Sequence, residues 1–214
     1  GWCWSCFSGG CVPLPSADVA GYRRTGSAYR RWRAEKHICG RIQGAHLNLR
    51  TMSDTPVKNP SVIPVFSATP ELSDALERVL VDVTALSLVS KQIHWNVVGP
   101  NFRDIHLNLD EVVTIAREAS DEIAERMRAI NAIPDGRPEA IAERTSVPSA
   151  PEGVLMVSDA VDYMVNALNA VVSTLREVHK VVDETDSMSS GIVEDYVLRL
   201  EQQAWFLSSQ NYSA

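Results

Sequence analysis

The stretch KQIHWNVVGPNFRDIHLNLD, residues 91–110, sets His94, His106 and Asp110 around a Gly-Pro-Asn break. Two more carboxylates follow at a matching interval, Asp121 and Glu125. His106 and Asp110 are spaced i, i+4, as are Asp121 and Glu125, so on a helix each pair stacks one turn apart. At 100° per residue Asp121 lies only about 20° round from Asp110, which puts all four on one side. The two pairs are too far apart to share an ion within one chain. His106 and Asp121 would be about 22 Å apart along a helix axis, whereas metal–ligand bonds measure about 2 Å. Either there are two separate sites, or a second copy of the helix runs antiparallel and completes two symmetric ones. Imidazole plus carboxylate without thiolate suits Fe(II), with Zn and Mn as competitors. The rival reading is a surface hydrogen bond between His106 and Asp110, a solvated face of Asp121, Glu122 and Glu125, and ion pairs for Lys91 and Arg103. The spacing alone leaves both open.

The elements that must hold these residues read as helices. Thr69-Pro70 is a start signal. Leu72, Leu76, Val79, Val83, Leu86 and Ile93 then recur at helical spacing, predicting helix A over about 70–97. Gly99-Pro100 ends it. Helix B is expected from Phe102 to the turn at Ile133-Pro134-Asp135-Gly136, with Ile105, Leu109, Val112, Ala116, Ala119, Ile123 and Ile130 facing in. Residues 137–157 hold three prolines and a short helix around Pro138–Arg144. Helix C is expected over about 158–182, with Val161, Met164, Val165, Leu168, Val172, Leu175 and Val178 inward. An acidic connector, Asp183-Glu184-Thr185-Asp186, leads to helix D over about 189–208, with Ile192, Tyr196, Leu200 and Leu207 inward. No strand of useful length is expected. Four such helices with a short A–B link and a long B–C link predict an all-α four-helix bundle, residues 69–210, with a long crossover between its second and third helices, the ferritin-like arrangement.

Composition bounds the rest. The net charge is −7. Residues 1–51 carry eight bases and two acids, a balance of +6, and residues 52–214 carry twelve bases and twenty-five acids, a balance of −13. Cys3, Cys6, Cys11 and Cys39 all lie in the first segment, so the cysteine-free remainder suits a reducing cytosol. WCWSCFSGGC lacks the second Cys/His pair of a zinc module. Met52 is the first methionine and opens MSDTPVKNP. Residues 1–51 are therefore expected to be a disordered extension, upstream sequence translated in frame, and 52–68 an extended lead-in. The rival is a basic tail whose Arg, Tyr and Trp residues bind phosphates and stack on bases. No apolar run is long enough to cross a membrane, and the start lacks a secretory pattern.

His94-Trp95-Asn96-Val97, Gly99-Pro100-Asn101-Phe102, His106, Asp110 and Asp121-Glu122-Ile123-Ala124-Glu125-Arg126 together resemble the Dps mini-ferritins, DNA-binding proteins from starved cells. The likeness covers residues 60–210, including Gln203-Ala204-Trp205-Phe206, and the pattern H-x11-H-x3-D-x10-D-x3-E is filled at every position. The resemblance implies an iron centre across a two-fold dimer, with His94, His106 and Asp110 from one chain and Asp121 and Glu125 from the other. It also implies a hollow homo-dodecamer in the cytoplasm, associated with the nucleoid, that oxidises Fe(II) with hydrogen peroxide or oxygen and stores ferric mineral. Asp183, Glu184 and Asp186, with Glu194 and Asp195 nearby, resemble acids lining pores that admit ions, where charge would focus Fe(II). An ordinary soluble loop is the rival there. For Trp95 the resemblance implies radical quenching, and the residue type implies packing.

Two other functions compete. An intrachain di-iron enzyme needs Glu-x-x-His. The residues three before the five histidines are Ala34, Gln43, Lys91, Arg103 and Arg176, which disfavours it. A DNA-condensing protein would have to bind through residues 20–36 or Lys58, since a bundle at −13 repels DNA. Twelve weak tails would then add through avidity.

Overall fold

The computed structural model describes residues 66–211. The basic segment, the four cysteines, Lys58 and most of the lead-in lie outside the described residues. Helix α1 spans Pro70–Asn96, α2 Phe102–Ala129, the short α3 Pro138–Arg144, α4 Val157–Thr185 and α5 Ser187–Ser208. A 3-10 turn, Ser209–Asn211, follows. The Thr69 hydroxyl accepts from the Leu72 amide and caps α1, with Pro70 in the first turn. Helices α1 and α4 each pack along one neighbour on either side, as do α2 and α5, giving the cyclic order α1, α2, α5, α4. This is the four-helix bundle that the apolar spacing predicts.

The predicted apolar stripes form its core. Leu72, Leu76, Val79, Val83, Leu86 and Ile93 of α1 are fully enclosed, as are Leu109, Val112, Ala116, Ala119 and Ile123 of α2. Each large aliphatic side chain so buried contributes about 1.5–3 kcal/mol against the unfolded chain. Val165 and Ile192 pack at the core margin instead, half-buried.

Two boundaries differ from expectation, each for a local reason. Helix α2 stops at Ala129, short of the proline turn, because Asn131 adopts a left-handed φ of 63°. That turns the Ala132 amide back onto the Met127 carbonyl at 2.8 Å and closes the helix end. The acidic connector is not a loop. Asp183, Glu184 and Thr185 finish α4, and Asp186 alone forms the corner before α5. No glycine or proline lies between Val182 and Ser187, so nothing breaks the helix earlier. A two-residue parallel pairing also exists, Val97–Val98 (β1) with Leu155–Met156 (β2). Strands this short carry no periodic signal in a sequence.

The crossover therefore runs the length of the bundle and is tied down at its end and at its middle. At its end β2 pairs with the α1–α2 turn. Midway along, level with the centre of α1, the buried Asp82 carboxylate gathers four donors. Its Oδ1 accepts from the Thr145 hydroxyl at 2.9 Å and the Ser146 amide at 2.7 Å. Its Oδ2 accepts from the Ser146 hydroxyl at 2.6 Å and the Thr174 hydroxyl of α4 at 2.7 Å. One carboxylate thus joins α1, α4 and the segment after α3. Asp82→Ala orphans these donors and should cost roughly 3 kcal/mol or more. Glu177→Ala, which breaks an exposed pair with Arg78, should change little. Urea denaturation at fixed protein concentration would separate the two.

Candidate metal centre

The turn between α1 and α2 decides the geometry of the candidate centre. Gly99 has φ 122°, a backbone state that favours glycine, and a Cβ there would stand 3.0 Å from Met156 Cε. Asn101 follows in the left-handed region and starts α2. The tight reversal brings His94, in the last turn of α1, against His106, near the start of α2. Their rings stack with centroids 3.6 Å apart and 23° between planes. Phe102 flanks His106 with ring centroids 5.1 Å apart.

Each imidazole is held by the other residue's backbone. His94 Nδ1 lies 2.9 Å from the His106 carbonyl, and His106 Nδ1 lies 3.1 Å from the His94 carbonyl. A carbonyl only accepts, so both Nδ1 atoms carry the proton in these bonds. In the neutral rings each Nε2 then carries the lone pair, the form a metal needs. Asp110 lies one turn beyond His106. One ligand atom from each of His94, His106 and Asp110 falls within 4.8 Å of the others. This is the one such group of three or more among the described residues. Its donors, two imidazoles and a carboxylate, fit a divalent transition metal with positions left open.

Sequence reasoning placed Lys91 only beside the histidines as an ion-pairing residue. Its Nζ donates to Asp110 Oδ1 and stands 3.3 Å from His94 Nε2. A fixed ammonium therefore lies between two candidate ligands, and a cation binding both must displace it. Lys91 is i−3 from His94, on the same face of α1, and that spacing is the signal that could have revealed it. The bond from Lys91 is the main reason that the Asp110 carboxyl is held below its ordinary range, with the charges of His94, Lys91 and His106 adding to it and partial burial opposing.

Asp121 and Glu125 are not brought to this cluster. Both are exposed on α2, which runs unbroken from Phe102 to Ala129. The rise of the helix keeps them about 22 and about 28 Å down the axis from His106. Asp183 and Glu184 are exposed at the end of α4. Asp186 turns inward. Its Oδ2 accepts from Arg126 Nη2 and from the Ser189 hydroxyl, each at 2.5 Å. Burial pushes its carboxyl up, but these bonds outweigh it and hold the group below its usual range. Trp95 is 69% exposed and so packs little against the described residues.

The ferritin-like domain family matches residues 73–211. The DNA protection during starvation protein of Mycolicibacterium smegmatis is 32% identical over 148 residues, covering 67% of this chain and 79% of that protein. Dps from Microbacterium arborescens, in its high iron form, is 32% identical with a TM-score of 0.63, covering 68% of this chain and 97% of that one. Mycobacterium smegmatis Dps gives a TM-score of 0.67 at 28% identity, covering 72% and 94% respectively.

The Lys91 contact has a measurable consequence. Because the Asp110 pKa is depressed in the folded chain, the contact is fully formed above the ordinary aspartate value and is lost as pH falls through the depressed one. In a carbon-detected NMR titration of metal-free protein, Lys91→Met should move the Asp110 midpoint upward. An unchanged midpoint would remove Lys91 from the centre.

Proposed function

The chain belongs to the Dps group of the ferritin-like family, and we propose that it acts there as a ferroxidase whose centre is completed across a two-fold dimer. The observation that carries this reading is the incomplete ligand set. Three donors converge within 4.8 Å, while Asp121 and Glu125 stand exposed and out of reach on the same helix. A second copy with α2 antiparallel supplies the missing carboxylates, and symmetry makes two such centres per dimer. Leu88, Trp95, Phe102 and Leu107, all 42% exposed or more on α1 and α2, give that pairing an apolar margin to bury.

In this reading iron is the substrate. His94 and His106 present their Nε2 lone pairs, Asp110 and the second copy's Asp121 and Glu125 supply negative charge, and Lys91 withdraws as Fe(II) arrives. Two ferrous ions give one electron each. The O–O bond of hydrogen peroxide takes both and, with two protons, leaves as two waters, so no hydroxyl radical is released. Oxygen is the alternative oxidant. The protein orients the ions, which supply the electrons. The ferric product is stored as mineral in a hollow homo-dodecamer in the cytoplasm, and Asp183 and Glu184 draw Fe(II) to a pore. Asp186, the third acid of that corner, is held by Arg126 and Ser189.

A DNA-associated role is the second reading. It is favoured by the +6 balance of residues 1–51 and by the DNA protection named for a relative. A gel shift at low and moderate salt should show retardation by the chain from Gly1 and none by the chain from Met52. Lack of retardation by both would end the nucleoid reading.

The shared centre makes a stronger prediction. His106→Ala and Asp121→Ala should each abolish rapid peroxide-driven oxidation in stopped flow while leaving native mass unchanged. Co-refolded in equal amounts, they should recover about one quarter of wild-type activity, because half of the random dimers hold one centre with both halves intact. No recovery would rule out a centre shared between chains.

A further inference from the structure

One buried residue on the inner face of α5 breaks its apolar stripe. Leu200 and Leu207 are fully enclosed, and Gln203 between them is 4% exposed. A carboxamide at such a position is costly unless its atoms find partners. Half of this one does. Asn108 Nδ2 of α2 donates to Gln203 Oε1 at 2.6 Å. Gln203 Nε2, which carries two N–H donors, has no partner among the described residues. It is not sealed in protein, because the one wholly enclosed side-chain polar atom without a partner among those residues is Tyr196 Oη. Gln203 instead lines a cleft of about 360 Å³ together with Asp110, Glu111, Thr114 and Ile115 of α2. The cleft therefore adjoins the His94–His106–Asp110 cluster through Asp110.

We infer that Gln203 binds the oxidant, receiving hydrogen peroxide in this cleft and presenting it to the metal beside Asp110. The inference rests on the ferroxidase reading above and names a specificity-determining residue for it. The chemistry of the lining carries it. The carboxylates of Asp110 and Glu111 only accept hydrogen bonds. The Thr114 hydroxyl already donates to the Asp110 carbonyl at 2.9 Å. Gln203 Nε2 is thus the one spare side-chain donor of the lining, set among acceptors. Hydrogen peroxide has O–H donors and lone pairs on both oxygens. One oxygen accepts from Gln203 Nε2 while its O–H groups turn to the carboxylates. A hydrated Fe(II) ion presents only the O–H groups of its waters and gains nothing from an amide N–H. Dioxygen has no donor and is a poor acceptor. A site built to hydrogen-bond a substrate disfavours an analogue that lacks those groups, so the cleft favours peroxide over dioxygen.

Stopped flow on the full chain, loaded anaerobically with Fe(II) and mixed with a range of peroxide concentrations, tests the assignment. Gln203→Met keeps the length of the side chain and suits its apolar surroundings. It should lower the second-order rate constant for peroxide by about twofold to tenfold, the worth of one neutral hydrogen bond. The dependence on Fe(II) and the slower rate with dioxygen should stay as in wild type. Gln203→Glu keeps the acceptor for Asn108 but loses both N–H donors, and it should lower the peroxide constant as well. Peroxide constants equal to wild type in both variants would overturn the role of Gln203 and leave the ferroxidase reading intact. So would an equal fall with peroxide and with dioxygen, which would make the residue a packing element of the bundle. Wild-type protein that does not oxidise Fe(II) with peroxide at all would refute the ferroxidase reading itself, and the oxidant cleft with it.

Discussion

The reciprocal bonds between His94 and His106 are the constraint on which the site depends. Each ring donates through Nδ1 to the other residue's carbonyl. The pair therefore fixes three things together: the contact of the two helices at the turn, the stacking of the rings, and the tautomer of both. A histidine held through Nδ1 offers a single lone pair in a known direction. Metal-binding histidines are commonly oriented through their second nitrogen by a carboxylate or carbonyl. Here the partner carbonyls come from the ligand residues themselves, so no further side chain is needed. Gly99 permits this because its φ of 122° reverses the chain within five residues, from Val97 to Asn101.

The remainder of the bundle protects that arrangement from slippage. An antiparallel pair of helices can slide by a turn if only apolar side chains hold it. Two features resist this. The β1–β2 pairing presses the end of the crossover onto the α1–α2 turn. The Asp82 carboxylate anchors the crossover to α1 and α4, with all four of its bonds directed by geometry rather than by area. Polar networks of this kind are worth most when every member is satisfied, and this one is.

Electrostatics then sets how the ligands behave without iron. Asp110 does not face water alone, since Lys91 neutralises it and stands against His94. The cluster is thereby kept in one arrangement while its charge stays balanced. At the α4–α5 corner, Arg126 does the same for Asp186. Asp183 and Glu184 remain outside that arrangement and keep their exposure. The bundle's large negative balance is therefore unevenly spent, part in internal pairs and part on open surface.

Much of this was legible in the sequence. Apolar residues at helical spacing gave the four helices and their inward faces, because burial in a bundle imposes that period on any sequence that folds into one. The fixed rise of a helix was enough to show that His106 and Asp121 of one chain cannot share an ion. The short helix at Pro138–Arg144 was visible from its proline start. What spacing could not supply were contacts between elements distant in the chain. Asp82 meets Thr145, Ser146 and Thr174, and Asn108 meets Gln203, only because the crossover and the packing of α5 on α2 bring them together. The reach of Lys91 to Asp110, the inward turn of Asp186 and the early end of α2 at Asn131 depended on side-chain direction and one backbone angle. Periodicity records which face of a helix is buried. Which polar group a side chain meets is decided by the packing of another helix against it, and that belongs to the tertiary structure alone.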